Sequence, residues 1–349
     1  AFFRRQRQMC IRDRFGIVGQ KKQLVIFHKL KKVFVFCIFI TVMNSVAANE
    51  TFGIVVHGGA GVMQNLSNEK QNQIKSKIKE SINAGYQILE NGGSSIDAVE
   101  AAVVVLEDSS LFNAGKGSVY TSDEKQEMDA SIMSGKDRSI GAVASVSNIK
   151  NPIKLARKVA DQTEHVLLVG EGAKSFARSV NEEIVPDEYF FSEENLKRVR
   201  KIKQSAAVEK ISMNKIGTVG AVAIDINGNL AAATSTGGMT NKMPGRVGDS
   251  PIPGSGSWAQ NNVCAVSSTG HGEYFIKYQV AKEVCNRIQF LNADIETASK
   301  EIIDELDEIG GAGGVIAIDF NGKIAMPFNT PGMIRGNKTN KTDLEIKIY

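Results

Sequence analysis

The stretch NKIGTVGAVAIDINGNLAAATSTGGMTNKMPGRVGDSP, residues 214–251, governs the reading of this 349-residue chain. Thr218 stands alone between Gly217 and an apolar run, directly after about twenty residues of charged, lysine-rich chain. Past it the pattern has period two, and Asp225-Ile226-Asn227-Gly228 between apolar runs predicts a β-hairpin. The pattern returns 94 residues later: residues 220–239 set against 314–333 give ten identities in twenty positions, among them Asp225/Asp319, Asn227/Asn321, Gly228/Gly322 and Thr236/Thr330. Two generic turns would share the Asn-Gly but not the flanking matches. Two related hairpins, with helices before and between them, predict a layered α+β sandwich.

Working outward, residues 52–56 predict a short strand. Residues 68–90 carry Ile74, Ile78, Ile82, Ala84, Tyr86 and Ile88 at helical spacing and stop at Asn91-Gly92-Gly93. A second helix starts at the Ser94/Ser95 cap and runs to Leu106. A helix over 153–160, a strand over 165–169 and a helix over 173–180 follow. Over 182–215 the apolar residues lose any period while Glu, Lys and Arg accumulate, which reads as a solvated, flexible linker leading to Gly217.

Residues 9–14 read MCIRDR, as a translated sequencing adapter does, so residues 1–20 are expected to be an assembly artefact. Lys29, Lys31 and Lys32, an apolar run over 33–43 and the small residues Ser45, Ala47 and Ala48 have the form of a signal peptide over about 21–48. A periplasmic or secreted protein is the expectation, with no membrane association after the leader is removed. The apolar run is well short of the roughly 20 residues of a spanning helix. Ten of the 42 basic residues and one of the 38 acidic ones lie in 1–47, leaving 32 against 37, a balance near −5. That excludes a nucleic-acid reading built on net basic charge. Of four cysteines, Cys264 and Cys285 remain, too few for a disulfide framework and open between pairing and two buried thiols.

Common hydrolytic sites are missing. A Ser-His-Asp enzyme of the α/β type needs a G-x-S-x-G elbow, and none occurs. The oxyanion-like His57-Gly58-Gly59-Ala60-Gly61 then has no nucleophile to serve. His57, His165 and His271 form no pair at metal-ligand spacing and read as structural histidines. Gly170-Glu171-Gly172-Ala173-Lys174-Ser175 lacks phosphate-loop spacing and reads as a helix start. Thr218 is different. A threonine at a chain terminus carries its own base, an α-amine with an unperturbed pKa of about 7.7 to 8.0. Freeing that amine requires a cut after Gly217, where a residue without Cβ tolerates strained geometry as the hydroxyl attacks the preceding carbonyl.

In this setting the chain resembles the plant-type asparaginase and isoaspartyl peptidase family of N-terminal nucleophile (Ntn) hydrolases. The resemblance rests on VVHGGAG (55–61), LFNAGKGSV (111–119), EMDASIM (127–133), IKNPIKLARKV (149–159), GTVGAVAID (217–225), ATSTGGMTNKMPGRVGDSPI (233–252), TGHGE (269–273) and AMPFNTPGMIRG (325–336). It implies a four-layer αββα sandwich, an α-subunit over 49–217, a β-subunit over 218–349 and a dimer of such heterodimers.

By resemblance Thr218 is the nucleophile, Thr236 tunes its hydroxyl, Thr269 and Gly270 are oxyanion donors, and Asn113 lies near the site. Arg246 and Asp249 would hold a substrate's α-carboxylate and α-ammonium, with the Gly272 carbonyl sharing the ammonium and Val247, Gly248 and His271 lining the pocket. The implied substrates are small zwitterions with a β-carbonyl amide: L-asparagine or a β-aspartyl dipeptide. No catalytic cofactor is implied; main-chain carbonyls of Leu106, Glu107, Ser109, Phe112, Ala114 and Lys116 would hold a structural sodium ion. Two departures stand out: Pro331, where the family pattern often has glutamate, and Ile216, where histidine is common. Alternatives are the glycosylasparaginase branch, which normally has aspartate before its threonine, and an unprocessed aspartate-binding homologue.

Overall fold

A computed structural model describes residues 51–61, 66–204 and 217–349. The expected artefact, the leader, linker residues 205–216 and the departure at Ile216 lie outside these. Two sheets organise the described chain. Strands β1 (Gly53–Gly61), β2 (Met128–Ser134), β3 (Ile140–Val146), β4 (Leu167–Val169), β5 (Val219–Ile224), β6 (Leu230–Thr236), β11 (Gly332–Thr339) and β12 (Glu345–Lys347) form one sheet in the order β12-β11-β1-β5-β6-β2-β3-β4. Strands β7 (Ser257–Gln260), β8 (Cys264–Gly270), β9 (Gly313–Asp319) and β10 (Ile324–Ala325) form the other, in the order β10-β9-β8-β7.

Three apolar cores separate four layers, because alternate residues of each strand point to opposite faces. Ile54 and Val56 of β1, with Val219, Ala221 and Ala223 of β5, pack on helices α1 (Asn68–Glu90), α2 (Ser95–Glu107) and α3 (Pro152–Gln162). Their neighbours Val55, Val222 and Ile224 meet Ala265, Ile316 and Ile318 of the small sheet. Cys264, Val266, Val315 and Ala317 turn the other way, onto α7 (Val280–Leu291) and α8 (Ile295–Glu308). The result is the αββα sandwich. Strands apolar on both faces, such as the fully buried β5, follow from being covered on both sides.

The internal repeat is a repeat of structure. In the β5–β6 turn, Asp225 accepts from Asn227 N at 2.9 Å and Asn229 N at 3.0 Å, and Gly228 takes φ +76°. In the β9–β10 turn, Asp319 accepts from Asn321 N and Lys323 N at 2.8 Å, and Gly322 takes φ +81°. The second hairpin is cut short. Pro327 and Pro331 have no N–H for a ladder, so the chain leaves after β10 and returns as β11 to pair with β1 in the large sheet.

Two expectations need correction. Strand β1 runs on through His57-Gly58-Gly59-Ala60-Gly61, with an irregular register between His57 and Gly59, because β11 continues to pair with it. Residues 182–204 are not a solvated linker. After helix α4 (Gly170–Ser179), a 3-10 turn at Asp187–Phe190 buries Phe190, and helix α5 (Glu193–Gln204) buries Asn195 and Val199 four residues apart. Acids in the first turn of α5 and lysines in the last complement its dipole, and Asn195 Nδ2 reaches Gly117 O at 3.2 Å. Two buried positions per helix are too few to register as a period. The cysteine question closes too: Cys264 of β8 and Cys285 of α7 form a buried disulfide, Cα to Cα 5.6 Å.

Candidate active site

Hairpin register alone brings the first two hydroxyls together. Val219 pairs with Ser235, so the preceding Thr218 lies opposite Thr236. Thr218 Oγ1 donates to Thr236 Oγ1 at 3.1 Å, and Gly238 N donates to the same Thr236 oxygen at 2.9 Å. Thr269 arrives from β8 of the other sheet, its Oγ1 accepting from Ala60 N at 3.2 Å. A Cβ on Gly217 would stand 3.2 Å from Thr269 Oγ1 and 3.3 Å from Ala60 O, so the Gly217–Thr218 peptide passes over Thr269. Gly59, at φ +107°, has no side chain where the Gly217 main chain runs; any Cβ there would collide with it. All three threonines are buried.

Asp129 of β2 lies opposite Thr236 in register. His57 lies opposite Gly220 of β5 in register, with Nε2 3.0 Å from Ser267 Oγ. Burial pushes its pKa down to about 3, against an upward pull from the Thr218 main chain, so the ring is neutral at physiological pH. Among the described residues no group of three or more His, Cys, Asp or Glu side chains could hold a metal ion.

Charge gathers one turn away, on the loop from β6 to β7 and the start of helix α6 (Gly272–Tyr278). Arg246 is bound side-on by Glu273, Nε to Oε1 and Nη2 to Oε2 both 2.9 Å. Asp249 is buried, and its Oδ2 has no hydrogen-bond partner among the described residues. Burial raises the Asp249 pKa to about 7; Arg246 pulls it down, while Glu273 and Asp129 push it up. A Cβ on Gly272 would stand 2.8 Å from Asp249 Oδ1 and 3.0 Å from Arg246 Nη2. Glycine there keeps open the space between the two charges. Deeper still, Lys242 Nζ lies 3.9 Å from Asp129 Oδ2 with both side chains buried, and donates to Glu127 O at 2.9 Å. Burial lowers the Lys242 pKa and raises that of Asp129. The two halves join through glycines: Gly238 bonds Thr236 and lies beneath Arg246 Nη1, while Gly270 and Gly272 follow Thr269.

Asn113 reaches the site indirectly. Its Nδ2 donates to Gly238 O at 2.7 Å and its Oδ1 accepts from Val119 N at 3.0 Å, so it clamps the turn beside Thr236. Val247 is half-buried and His271 Nε2 lies 3.5 Å from Glu273 Oε2. The segment from Leu106 to Lys116 folds tightly on itself: a Cβ on Gly115 would collide with Glu107 O, and one on Gly117 with Phe112 O, while Ser109 O lies 3.1 Å from that second position. Leu106 O already accepts from Ser109 N, and Ala114 O from Gly117 N, which leaves Ala114 O a second lone pair. Such a carbonyl-lined cradle suits a hard cation. The Glu107 side chain turns away, accepting from Ser235 Oγ at 2.6 Å and Ile153 N at 3.1 Å; burial raises it to about 8.

Sequence reading missed Glu273, Lys242 and Asp129. All three lay inside the quoted motifs TGHGE, TNKMPGR and EMDASIM, but a charged residue in a motif looks the same buried or exposed until the loops are folded.

Residues 50–348 match the asparaginase family model. The chain is 43% identical over 292 residues to the isoaspartyl peptidase of Escherichia coli (strain K12), covering 81% of this chain and 91% of that protein. It is 44% identical over 281 residues to the isoaspartyl peptidase/L-asparaginase of Bos taurus, covering 80% and 91%. To the isoaspartyl peptidase/L-asparaginase of Homo sapiens it is 44% identical over 270 residues, covering 77% and 87%.

Proposed function

From the premise that the chain belongs to the asparaginase family, we propose that it is a self-cleaving amidohydrolase that releases L-aspartate from β-aspartyl dipeptides and from L-asparagine. The observation that carries this reading is the convergence of the Thr218, Thr236 and Thr269 hydroxyls on the Gly217–Thr218 peptide. In maturation, Thr218 Oγ attacks the Gly217 carbonyl carbon, an ester forms as the C–N bond breaks, and water hydrolyses the ester. The products are a Gly217 carboxylate and a Thr218 with free hydroxyl and amine. The α-subunit then ends at Gly217 and the β-subunit begins at Thr218.

In turnover the freed amine takes the hydroxyl proton as the oxygen attacks the substrate's β-carbonyl. Thr269 Oγ and Gly270 N donate to the oxyanion, each worth about 10²- to 10³-fold in rate. Arg246 binds the α-carboxylate, and the unpartnered Asp249 Oδ2 with the Gly272 carbonyl takes the α-ammonium. The leaving amine departs with a proton, and water releases aspartate from the threonyl ester. The carbonyls of Leu106, Glu107, Ser109, Phe112, Ala114 and Lys116 would hold a sodium ion that stiffens the loop. The buried disulfide supports the oxidising compartment that the leader reading predicts. Assembly as a dimer of heterodimers is testable by light scattering.

Mass spectrometry of purified protein tests the core of the reading. Wild type should yield a fragment of residues 218–349 that releases aspartate from β-aspartyl-leucine, while Thr218→Ala should stay whole and inactive. Turnover by the uncut chain would refute it.

A further inference from the structure

Arg246 offers only half of its fork. The pair with Glu273 uses the Nε/Nη2 edge, at 2.9 Å for both bonds. The other edge, Nη1 with the second hydrogen of Nη2, has no protein acceptor among the described residues and faces three glycines. A Cβ on Gly248 would stand 2.9 Å from Nη1, one on Gly238 3.4 Å from Nη1, and one on Gly272 3.0 Å from Nη2. Any larger residue at these places would fill the volume in front of the free edge. Glu273 is itself braced: it lies in the first turn of α6, and its Oε2 lies 3.5 Å from His271 Nε2, whose ring packs edge-on against Tyr274.

We propose that Glu273 is a positioning residue for substrate recognition: by locking one edge of Arg246 it aims the other edge into the glycine-lined gap, ready for the α-carboxylate of the substrate. This rests on the reading of Arg246 given above. An arginine on an 18% exposed loop position has several rotamers, and fixing it before the ligand arrives removes an ordering cost from binding. Glu273 also acts on Asp249 at a distance. Together with Asp129 it favours the protonated form of Asp249, while Arg246 opposes this.

Glu273→Gln keeps the size of the side chain but breaks the double acceptor, and it should be compared with wild type in matured protein. Cleavage after Gly217 should proceed normally. The KM for β-aspartyl-leucine should rise about tenfold with kcat within about threefold, as expected for lost ground-state binding through a charged bidentate pair. Inhibition by L-aspartate should weaken equally, while inhibition by β-alanine, which is aspartate without its α-carboxylate, should not change. The acid limb of kcat/KM should move to lower pH as Asp249 loses a like-charged neighbour. An unchanged KM overturns the proposal. A lower KM also does, since it would make Glu273 a plug in the carboxylate site, as does equal weakening of aspartate and β-alanine. A wild type that neither splits after Gly217 nor turns over would instead remove the reading of Arg246, and the inference with it.

Discussion

The β5–β6 hairpin and the β9–β10 hairpin turn on the same Asp-x-Asn-Gly sequence with the same side-chain acceptor, yet they part at both ends. Gly217-Thr218 precedes the first; Gly311-Ala312 holds the matching place in the second, where the Ala312 carbonyl accepts from His271 N at 2.8 Å. In the first, β6 is seven residues long and brings Thr236 back beside Thr218. In the second, the return strand ends after two residues, and Thr330 donates to Gly332 O at 2.9 Å. Beneath Gly220 lie His57 and Ser267, and beneath Gly314 lie Phe328 and Met333. A hairpin of this pattern is therefore a scaffold. One residue before it, and enough ladder behind it, decide whether it carries a site.

The largest effect belongs to Thr218→Ala, which gives the first hairpin the residue found in the second and should end both cleavage and turnover. Thr236→Val should lower kcat about 10²-fold through loss of the hydroxyl that accepts from Thr218 Oγ1, whereas Thr330→Val at the matching position should leave kcat within about twofold. Equal losses in steady-state assays would mean that the hairpins differ less than their bonding suggests.

The polar floor of the first hairpin should show in acid. His57 has a pKa of about 3 in the fold against 6.5 in an ordinary chain. The folded state therefore resists a proton that the unfolded state accepts. Its contribution to stability is complete above about pH 6.5 and is lost as pH falls toward 3, at about 1.4 kcal/mol per pH unit. His57→Gln should flatten urea-melt stability between about pH 6 and pH 4 by that slope. A smaller contrast separates the turns. Asp225 is buried and also accepts from Ser95 N at 3.1 Å, tying the turn to α2, whereas Asp319 is partly exposed. Asp225→Ala should cost about 2 kcal/mol and Asp319→Ala about 1 kcal/mol in thermal or urea unfolding.

Much of this was written in the chain itself. Helix α1 runs from Asn68 to Glu90 as its period and its Asn-Gly-Gly stop predict, α2 starts at the Ser94 cap, and both hairpin turns form where Asp, Asn and Gly fall. These are local choices: propensity, capping and turn chemistry act over a few residues, so the sequence determines them without outside help. The motif positions of Thr218, Thr236, Thr269, Arg246 and Asp249 were equally legible. Tertiary structure alone decided the extension of β1 through Gly61, the ordering of 182–204, the passage of β11 into the larger sheet, the Cys264–Cys285 pairing and the hold of Glu273 on Arg246. Each depends on which partner arrives from a distant segment, and on whether burial leaves a charge solvated, paired or waiting for a ligand.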